Sequence, residues 1–195
     1  MLTLSLSRHG ITEGNLRRAY VGSIDMPLCP QGREGLARLA KDYPPVEQVF
    51  SSPMGRCVET AALLYPGQAP HLVEGLRERH FGQFENLSHS EIIALPGYGE
   101  WGMTAEGMIF PDGEDREAFA ARCAAAFWGV VEKAVSAGVT RAAVVTHGGV
   151  IMALMDAFCR PGKPFYEWRL PGGAGYLLDC RADSRQFTLV RRLGG

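Results

Sequence analysis

Short apolar runs alternate with longer amphipathic stretches along most of the chain. Leu2 to Ser7 alternates apolar and small polar residues, which predicts a strand. Val46 to Phe50 predicts a second strand, and the unbroken apolar run in RAAVVTHGG predicts a third that is buried on both faces. A short strand is expected within APHLVEG, and GAGYLLDCRADSRQFTLVRRL predicts two final strands joined as a hairpin through RADSR.

Helical periodicity fills the segments between these strands. One helix is predicted after Pro30, and SSPMGRCVETAALLY predicts another with a serine cap and a proline in its first turn. The longest helix is predicted from about Asp115 to Ala137, where Gly138 ends it, and VIMALMDAFC predicts one more. Strands that alternate with helices indicate an α/β fold, here a three-layer αβα sandwich with a mainly parallel central sheet.

Residues 81–115 interrupt this alternation. They are rich in glycine, proline and single aromatic residues without a clear period, so we predict a lid-like insertion with short helices over a site. The length of 195 residues fits one domain, 1–195. Trp101, Met103, Met108 and Phe110 are candidates to stack on a flat base, with ordinary packing under a loop as the alternative.

Composition and charge narrow the classes of partner. Hydrophobic residues make up 46% and the net charge is −1, which gives no reason to expect nucleic acid or an anionic membrane as a partner. The five scattered cysteines favour reduced thiols over a disulfide framework or a zinc ribbon. No signal-peptide pattern opens the chain, and no stretch approaches the ~20 apolar residues of a membrane span. We therefore expect a cytoplasmic protein.

Polar clusters follow three of the predicted strands directly. LTLSLS runs into Arg8 and His9, VEQVF runs into SSPMGR with Arg56, and AAVVT runs into His147 and Gly148. Because the carboxyl ends of parallel strands share one edge of a sheet, we expect these side chains to meet in one crevice. The glycines allow the backbone to approach a ligand there, and helix amides favour an anion.

This set of residues indicates phosphoryl transfer through a histidine. A neutral imidazole, with an ordinary pKa of ~6.5, is a competent nucleophile at neutral pH. Flanking guanidinium groups disfavour protonation of the imidazole, and each binds two phosphoryl oxygens at once. The leaving alkoxide needs a proton, and Glu78 is the best candidate, although Glu74 and Glu85 lie nearby.

Four sequence blocks resemble those of the histidine phosphatase superfamily, in its phosphoglycerate-mutase-like branch. They are RHGITEGN, SSPMGRCVET, LRERHFGQFE and VVTHGGV, in the family's order. The resemblance implies that His9 is phosphorylated and that Arg8, Arg56 and His147 bind the transferred phosphoryl group. It implies that Glu78 acts first as the general acid and then as the base for water.

The resemblance extends to residues around the first block. It implies that Asn15 donates to the phosphate and that Thr12 has a supporting role. Gly148, at the helix start after the third strand, is a substrate-binding candidate because the backbone can approach a ligand there. We expect substrate selection from Arg17, Arg18 and Tyr20 after the first motif and from Arg79 and His80 on the lid, and we choose Arg17 and Arg79 as the further candidates for substrate binding. The chain departs from the family at Ile11, at Gly14 and in the run FEN, where many members have acidic, aromatic and Trp-Glu-Gly residues.

The resemblance favours a phosphatase. Mutases of the family are typically longer, whereas PDGEDREAFAARCAAAF and the closing strands look similar to α-ribazole phosphatases of the cobalamin pathway. The best candidate is a phosphomonoesterase for α-ribazole 5′-phosphate, a small-molecule substrate. A broad-specificity sugar or nucleotide phosphatase, a cofactor-dependent phosphoglycerate mutase and a non-catalytic phospholigand-binding module stay open, as does a homodimer through an exposed sheet edge.

No metal or other cofactor is expected. His71, His80 and His89 show no tight ligand spacing. A metal-dependent hydrolase built on His9 and His147 is a distant alternative that insensitivity to EDTA would remove.

Overall fold

A six-stranded sheet forms the centre of the computed structural model, which describes residues 1–98 and 109–194. Its strands are β1 (Leu2–Arg8), β2 (Gln48–Ser51), β3 (His71–Leu72), β4 (Arg141–Thr146), β5 (Gly175–Arg181) and β6 (Gln186–Leu193). Their order is β3-β2-β4-β1-β5-β6. The pairings among β1 to β4 are parallel, and β5 is antiparallel to both β1 and β6. The predicted mainly parallel sheet and the closing hairpin are therefore confirmed.

Helices follow the strands in the predicted alternation. They are α1 (Glu13–Leu16), α2 (Pro30–Leu39), α3 (Gly55–Leu64), α4 (His89–Ile93), α5 (Arg116–Ser136) and α6 (Gly148–Phe158). Asp115 caps α5 by accepting from the amides of Glu117 and Ala118, and the chain leaves this helix through Gly138 at φ +73°. The short α1 has no counterpart among the helices predicted from periodicity, because four residues are too few to show a period.

Both faces of the sheet are buried. Along β4, Ala142 and Val144 pack in one apolar cluster, with residues of α5 and α6. Ala143 and Val145 point to the other side, into a second cluster with residues of α2 and α3. The result is the predicted three-layer αβα arrangement.

The described ends of segment 81–115 pack against the chain that follows β1. Phe110 contacts the rings of Tyr20, Phe81 and Phe84, with centroids 4.9 to 5.7 Å apart. The segment contains α4, in line with the predicted short helices. The predicted stacking side chains Trp101, Met103 and Met108 lie outside the described residues, and the lid remains a prediction.

Two further predictions concern the redox state of the cysteines and membrane-spanning segments. All five cysteines are buried and unpaired, in agreement with the expected reduced state. Among the described helices, none is both long and apolar enough to cross a bilayer.

Candidate active site

The pairing of β1 with β4 brings two histidines together. The parallel register sets Arg8 opposite Thr146, so His9 and His147 directly follow the ends of two neighbouring strands. The His9 amide donates to the Thr146 carbonyl at 2.9 Å, and the two imidazole centroids lie 5.2 Å apart. Residues separated by most of the chain therefore form one site at the sheet edge.

One hydrogen bond defines the tautomer of His9. Its Nδ1 lies 2.7 Å from the carbonyl oxygen of Gly10, which only accepts, so Nδ1 carries the hydrogen and Nε2 the lone pair. Burial, followed by the charges of Arg8 and Arg56, holds the pKa of His9 well below the ordinary histidine value. His9 is thus a neutral imidazole with Nε2 available for attack on phosphorus.

The two arginines occupy different places. Arg8 lines the main cavity, where its Nη1 donates to the Leu170 carbonyl at 2.7 Å and its buried Nε has no partner within the described chain. Arg56 is fully buried behind His147 and donates to the carbonyls of Ile24 and Gly22 at 2.8 and 2.7 Å. The place of Arg8 on the cavity wall suits an anionic oxygen, whereas Arg56, whose buried Nε also has no partner within the described chain, does not line the cavity and holds the loop before α2.

His147 has a protein partner at each ring nitrogen. Arg56 Nη2 lies 3.3 Å from Nδ1, and because a guanidinium only donates, Nε2 carries the hydrogen toward Ser52 Oγ at 2.8 Å. Burial, and then the charge of Arg56, lowers the pKa of His147 well below its ordinary value. His147 is therefore also neutral, and its contact with a phosphoryl group stays a prediction.

The Glu78 carboxylate contacts the start of α6. Its Oε1 accepts from the Arg79 amide at 3.0 Å, and its Oε2 accepts from the Gly149 amide at 2.9 Å. A Cβ at Gly149 would lie 2.4 Å from Oε1, so only glycine allows this approach. Burial raises the pKa of Glu78, against the opposite effect of the two amides. A raised pKa suits a general acid.

Thr12 and Asn15 form a reciprocal cap on α1. Thr12 Oγ1 accepts from the Asn15 amide at 3.3 Å, and the Thr12 amide donates to Asn15 Oδ1 at 3.2 Å. Because Oδ1 is the acceptor here, the amino group is the other end of the Asn15 side chain, and Asn15 lines the cavity. Thr12 is fully buried and supports Asn15.

The cavity has a volume of about 810 Å³ and a cationic wall. Among its charged lining residues are three arginines and one carboxylate, which favours an anionic ligand. Aromatic and polar residues complete the wall, which includes Arg8, His9, Asn15, Arg18, Tyr20, Glu78, Phe81, Gly148, Tyr166 and Arg169.

The two predicted substrate-binding arginines lie away from this wall. Arg17 donates to Asn86 Oδ1, and Arg79 donates to the Glu114 carbonyl at 2.8 Å while lying over the Phe110 ring. Neither is among the residues that line the cavity, whereas Arg18 and Arg169 are. Sequence analysis expected both Arg17 and Arg18 near the pocket but chose Arg17 for binding, and it had no local signal for Arg169.

Three further residues of the block SSPMGRCVET hold the site in place. Ser52 contacts His147 as described, and Cys57 Sγ lies 3.5 Å from its Nε2. Thr60 Oγ1 accepts from the Gly10 amide at 2.9 Å and donates to the Arg56 carbonyl at 2.7 Å. Sequence analysis marked this block but did not single out these side chains.

Within residues 1–98 and 109–194, no cluster of three or more potential ligands could hold a metal ion.

The chain is similar in sequence to known phosphatases. The family model of the histidine phosphatase superfamily (branch 1) matches residues 4–192. A broad-specificity phosphatase of Saccharomyces cerevisiae is 28% identical, over 100% of this chain and 86% of the yeast protein. The adenosylcobalamin/α-ribazole phosphatase of Salmonella typhimurium is 26% identical, over 91% of this chain and 90% of that protein.

A solved structure shows the same fold. The α-ribazole phosphatase from Shigella flexneri superposes with a TM-score of 0.77 at 24% identity, covering 100% of this chain and 96% of that one. The family match spans nearly the whole sequence, which confirms the resemblance of the four blocks. The chain therefore belongs to branch 1 of the histidine phosphatase superfamily and is a phosphatase of that family.

Proposed function

We propose that the chain hydrolyses small phosphomonoesters through a phosphohistidine on His9. In the first step Nε2 of His9 bonds to phosphorus, the ester P–O bond breaks, and Glu78 gives its proton to the leaving oxygen. In the second step the Glu78 carboxylate takes a proton from water, whose oxygen attacks phosphorus while the N–P bond breaks. Inorganic phosphate leaves, and both side chains return to their starting states.

The tautomer of His9 carries this proposal. The bond from Nδ1 to the Gly10 carbonyl leaves the Nε2 lone pair in a cavity that also contains Arg8 and Glu78. A neutral nucleophile and a carboxyl group with a raised pKa are the two groups that the two steps need. A purely phospholigand-binding module has no use for both.

Charge that develops on the phosphoryl oxygens needs donors already in place. Arg8 and the amino end of Asn15 supply them on the described wall of the cavity. Gly148, at the start of the eleven-residue α6, adds the positive end of a helix dipole. Such preorganised donors supply the main part of catalysis in phosphoryl transfer.

For the substrate, we propose α-ribazole 5′-phosphate as the first candidate. A cavity of about 810 Å³ has room for a ribose with a two-ring base, and Tyr20, Phe81 and Tyr166 offer aromatic surfaces to that base. The Salmonella relative is named an adenosylcobalamin/α-ribazole phosphatase.

Broad specificity is the second candidate. It is favoured by the charged cavity wall, on which Arg18 and Arg169 attract many phosphorylated metabolites without selecting one shape. The yeast relative is named as a broad-specificity phosphatase.

A substrate panel tests both candidates. kcat/KM is measured, with EDTA and no added metal, for α-ribazole 5′-phosphate, a nucleoside 5′-monophosphate, p-nitrophenyl phosphate and 3-phosphoglycerate with and without bisphosphoglycerate. A preference of roughly 100-fold or more for the ribazole phosphate, about 3 kcal/mol, supports the first candidate. Similar values across the esters support the second. Phosphoglycerate interconversion faster than phosphate release, or inactivation by EDTA, contradicts the proposed function.

A further inference from the structure

Arg122 ties helix α5 to the segment of chain that leads to Glu78. Its Nη1 donates to the carbonyl oxygens of Gly75 and Arg77, at 2.9 and 3.0 Å. Its Nε and Nη2 donate to the two carboxylate oxygens of Glu114, at 2.8 and 2.7 Å. Four bonds from one planar guanidinium hold the backbone just before Glu78 in a defined geometry.

Glu114 holds the chain on the other side of Glu78. Its amide donates to the His80 carbonyl at 2.9 Å, and its carbonyl accepts from Arg79 Nε at 2.8 Å. The Arg122–Glu114 pair therefore contacts the chain both before and after Glu78. We call this pair the acid clamp.

The acid clamp lies beside the Glu78 carboxylate. Arg122, Glu114 and Glu78 all line a second cavity, of about 470 Å³, separate from the main one except at Glu78. The side chains of Arg122 and Glu114 are only 30% and 21% exposed, so solvent weakens their attraction less than in an ordinary surface pair. Because Arg122 also binds backbone carbonyls, the pair fixes the position of the chain, which an attraction between two charges alone would not do.

We propose that Arg122, with Glu114, is a positioning residue for the general acid. This inference rests on the proposed role of Glu78. Without the clamp, the backbone next to Glu78 loses its bonds to Arg122, and the carboxyl group is no longer held between the Gly149 amide and the leaving oxygen. Its proton transfer then suffers, and its pKa falls as water reaches it.

The test compares Arg122→Met with the control Arg185→Met. The control breaks an ion pair, at 3.2 Å, between Arg185 and Glu132, which lies on α5 like Arg122. kcat/KM is measured for the best alkyl phosphate of the panel and for p-nitrophenyl phosphate, whose leaving group needs no proton. We expect Arg122→Met to lower the alkyl value roughly 10- to 100-fold and the aryl value less than about 3-fold. The control should change neither.

A pH profile separates positioning from a general structural role. The acid must be protonated in the first step, so kcat/KM for the alkyl ester falls as pH rises through the pKa of Glu78. In Arg122→Lys, which keeps the positive charge but loses bonds to the backbone, this alkaline limb should move to lower pH, because exposure to water removes the burial that raises that pKa. Arg122→Met also removes a positive charge near Glu78, which acts to raise its pKa and opposes that shift. Arg122→Lys keeps one charge and some donors, and should restore part of the alkyl activity.

Equal losses of Arg122→Met on both esters, or an alkaline limb that does not move in Arg122→Lys, would overturn the inference. Glu78→Gln, measured alongside, shows which proposal fails. If Glu78→Gln loses activity mainly on the alkyl ester and Arg122→Met does not, the clamp is wrong and the acid assignment stands. If Glu78→Gln lowers both esters equally, the acid assignment fails and the clamp with it. Should Arg122→Met not fold, Glu114→Gln is judged by the same criteria.

Discussion

Two regions of the candidate site differ in how their side chains are held, and in the first of them only His9 lines the cavity. The strand-end cluster consists of His9, Arg56 and His147, of which none is more than 3% exposed. The cavity rim consists of Arg18, Tyr166 and Arg169, all exposed, with Tyr166 at 76%. The cluster is fixed by strand register and hydrogen bonds, whereas within the described chain no carboxylate pairs with either rim arginine.

This difference assigns the two regions different tasks. Phosphoryl transfer needs atoms placed within fractions of an ångström, which buried groups on adjacent strands supply. Substrate selection needs only differential contacts, which exposed loop residues supply and exchange readily. Substitutions in the cluster should therefore act on kcat and those at the rim on KM.

The largest expected effect tests the cluster. His9→Ala removes the nucleophile and should lower kcat/KM by at least ~10⁴-fold on every ester. It should also abolish the acid-labile phosphoprotein that rapid quenching with labelled substrate detects in the unsubstituted enzyme. His71→Ala, at an exposed position on β3 outside the cavity, is the control and should leave both readouts unchanged.

Residual hydrolysis near the original rate in a folded His9→Ala protein would contradict the phosphohistidine. Circular dichroism establishes folding, because the substitution removes one buried hydrogen bond worth only about 1 kcal/mol.

The next largest expected effect tests the contact between Glu78, the proposed general acid, and Gly149 at the start of α6. In Gly149→Ala the new Cβ would lie 2.4 Å from Glu78 Oε1, so the carboxyl group must move. We expect a loss of roughly 100-fold in kcat/KM on an alkyl phosphate and a much smaller loss on p-nitrophenyl phosphate. Gly129→Ala in α5 is the matched control, since its Cβ meets nothing within 4 Å.

That control should keep full activity and gain about 0.5–1 kcal/mol of stability, measured by urea unfolding. Equal losses of Gly149→Ala on the two esters would mean that the methyl group disturbs His9 or Arg8 rather than Glu78.

The strand-end cluster is the part of the site that the sequence predicted. Each strand shows as an apolar run, and the rule that parallel strands end at one edge brings their next residues together. This prediction did not depend on the conformation of any loop. The rule does not extend to hydrogen-bond partners, so it did not reveal that Arg56 faces the carbonyls of Gly22 and Ile24 or that Thr60 supports Gly10.

The rim was not predictable to the same degree. Arg17 and Arg18 are adjacent and chemically identical, and which of them lines the cavity depends on the exit from α1. There Arg18 takes φ +56°, a left-handed conformation that costs a non-glycine residue energy. Arg169 follows a turn anchored by the buried Trp168, far along the chain from the other cavity residues, and no local pattern marks it.

The smallest expected effect tests this assignment at the rim. Arg18→Ala should raise KM for the best substrate about 3- to 10-fold with little change in kcat, because one exposed cation contributes about 1 kcal/mol to binding a charged group. Arg17→Ala, one position earlier, should raise KM less, since its guanidinium faces Asn86 instead of the cavity. Steady-state kinetics at low and high salt measure both, and the Arg18 effect should shrink at high salt.

The reverse order, with Arg17→Ala the more damaging, would restore the sequence-based choice and would mean that the rim rearranges around a bound substrate. A fall in kcat for Arg18→Ala would break the division between the two regions. An arginine at the rim would then act on the transition state as well as on binding, and the exposed loops would share in the chemistry that we assign to the strand ends.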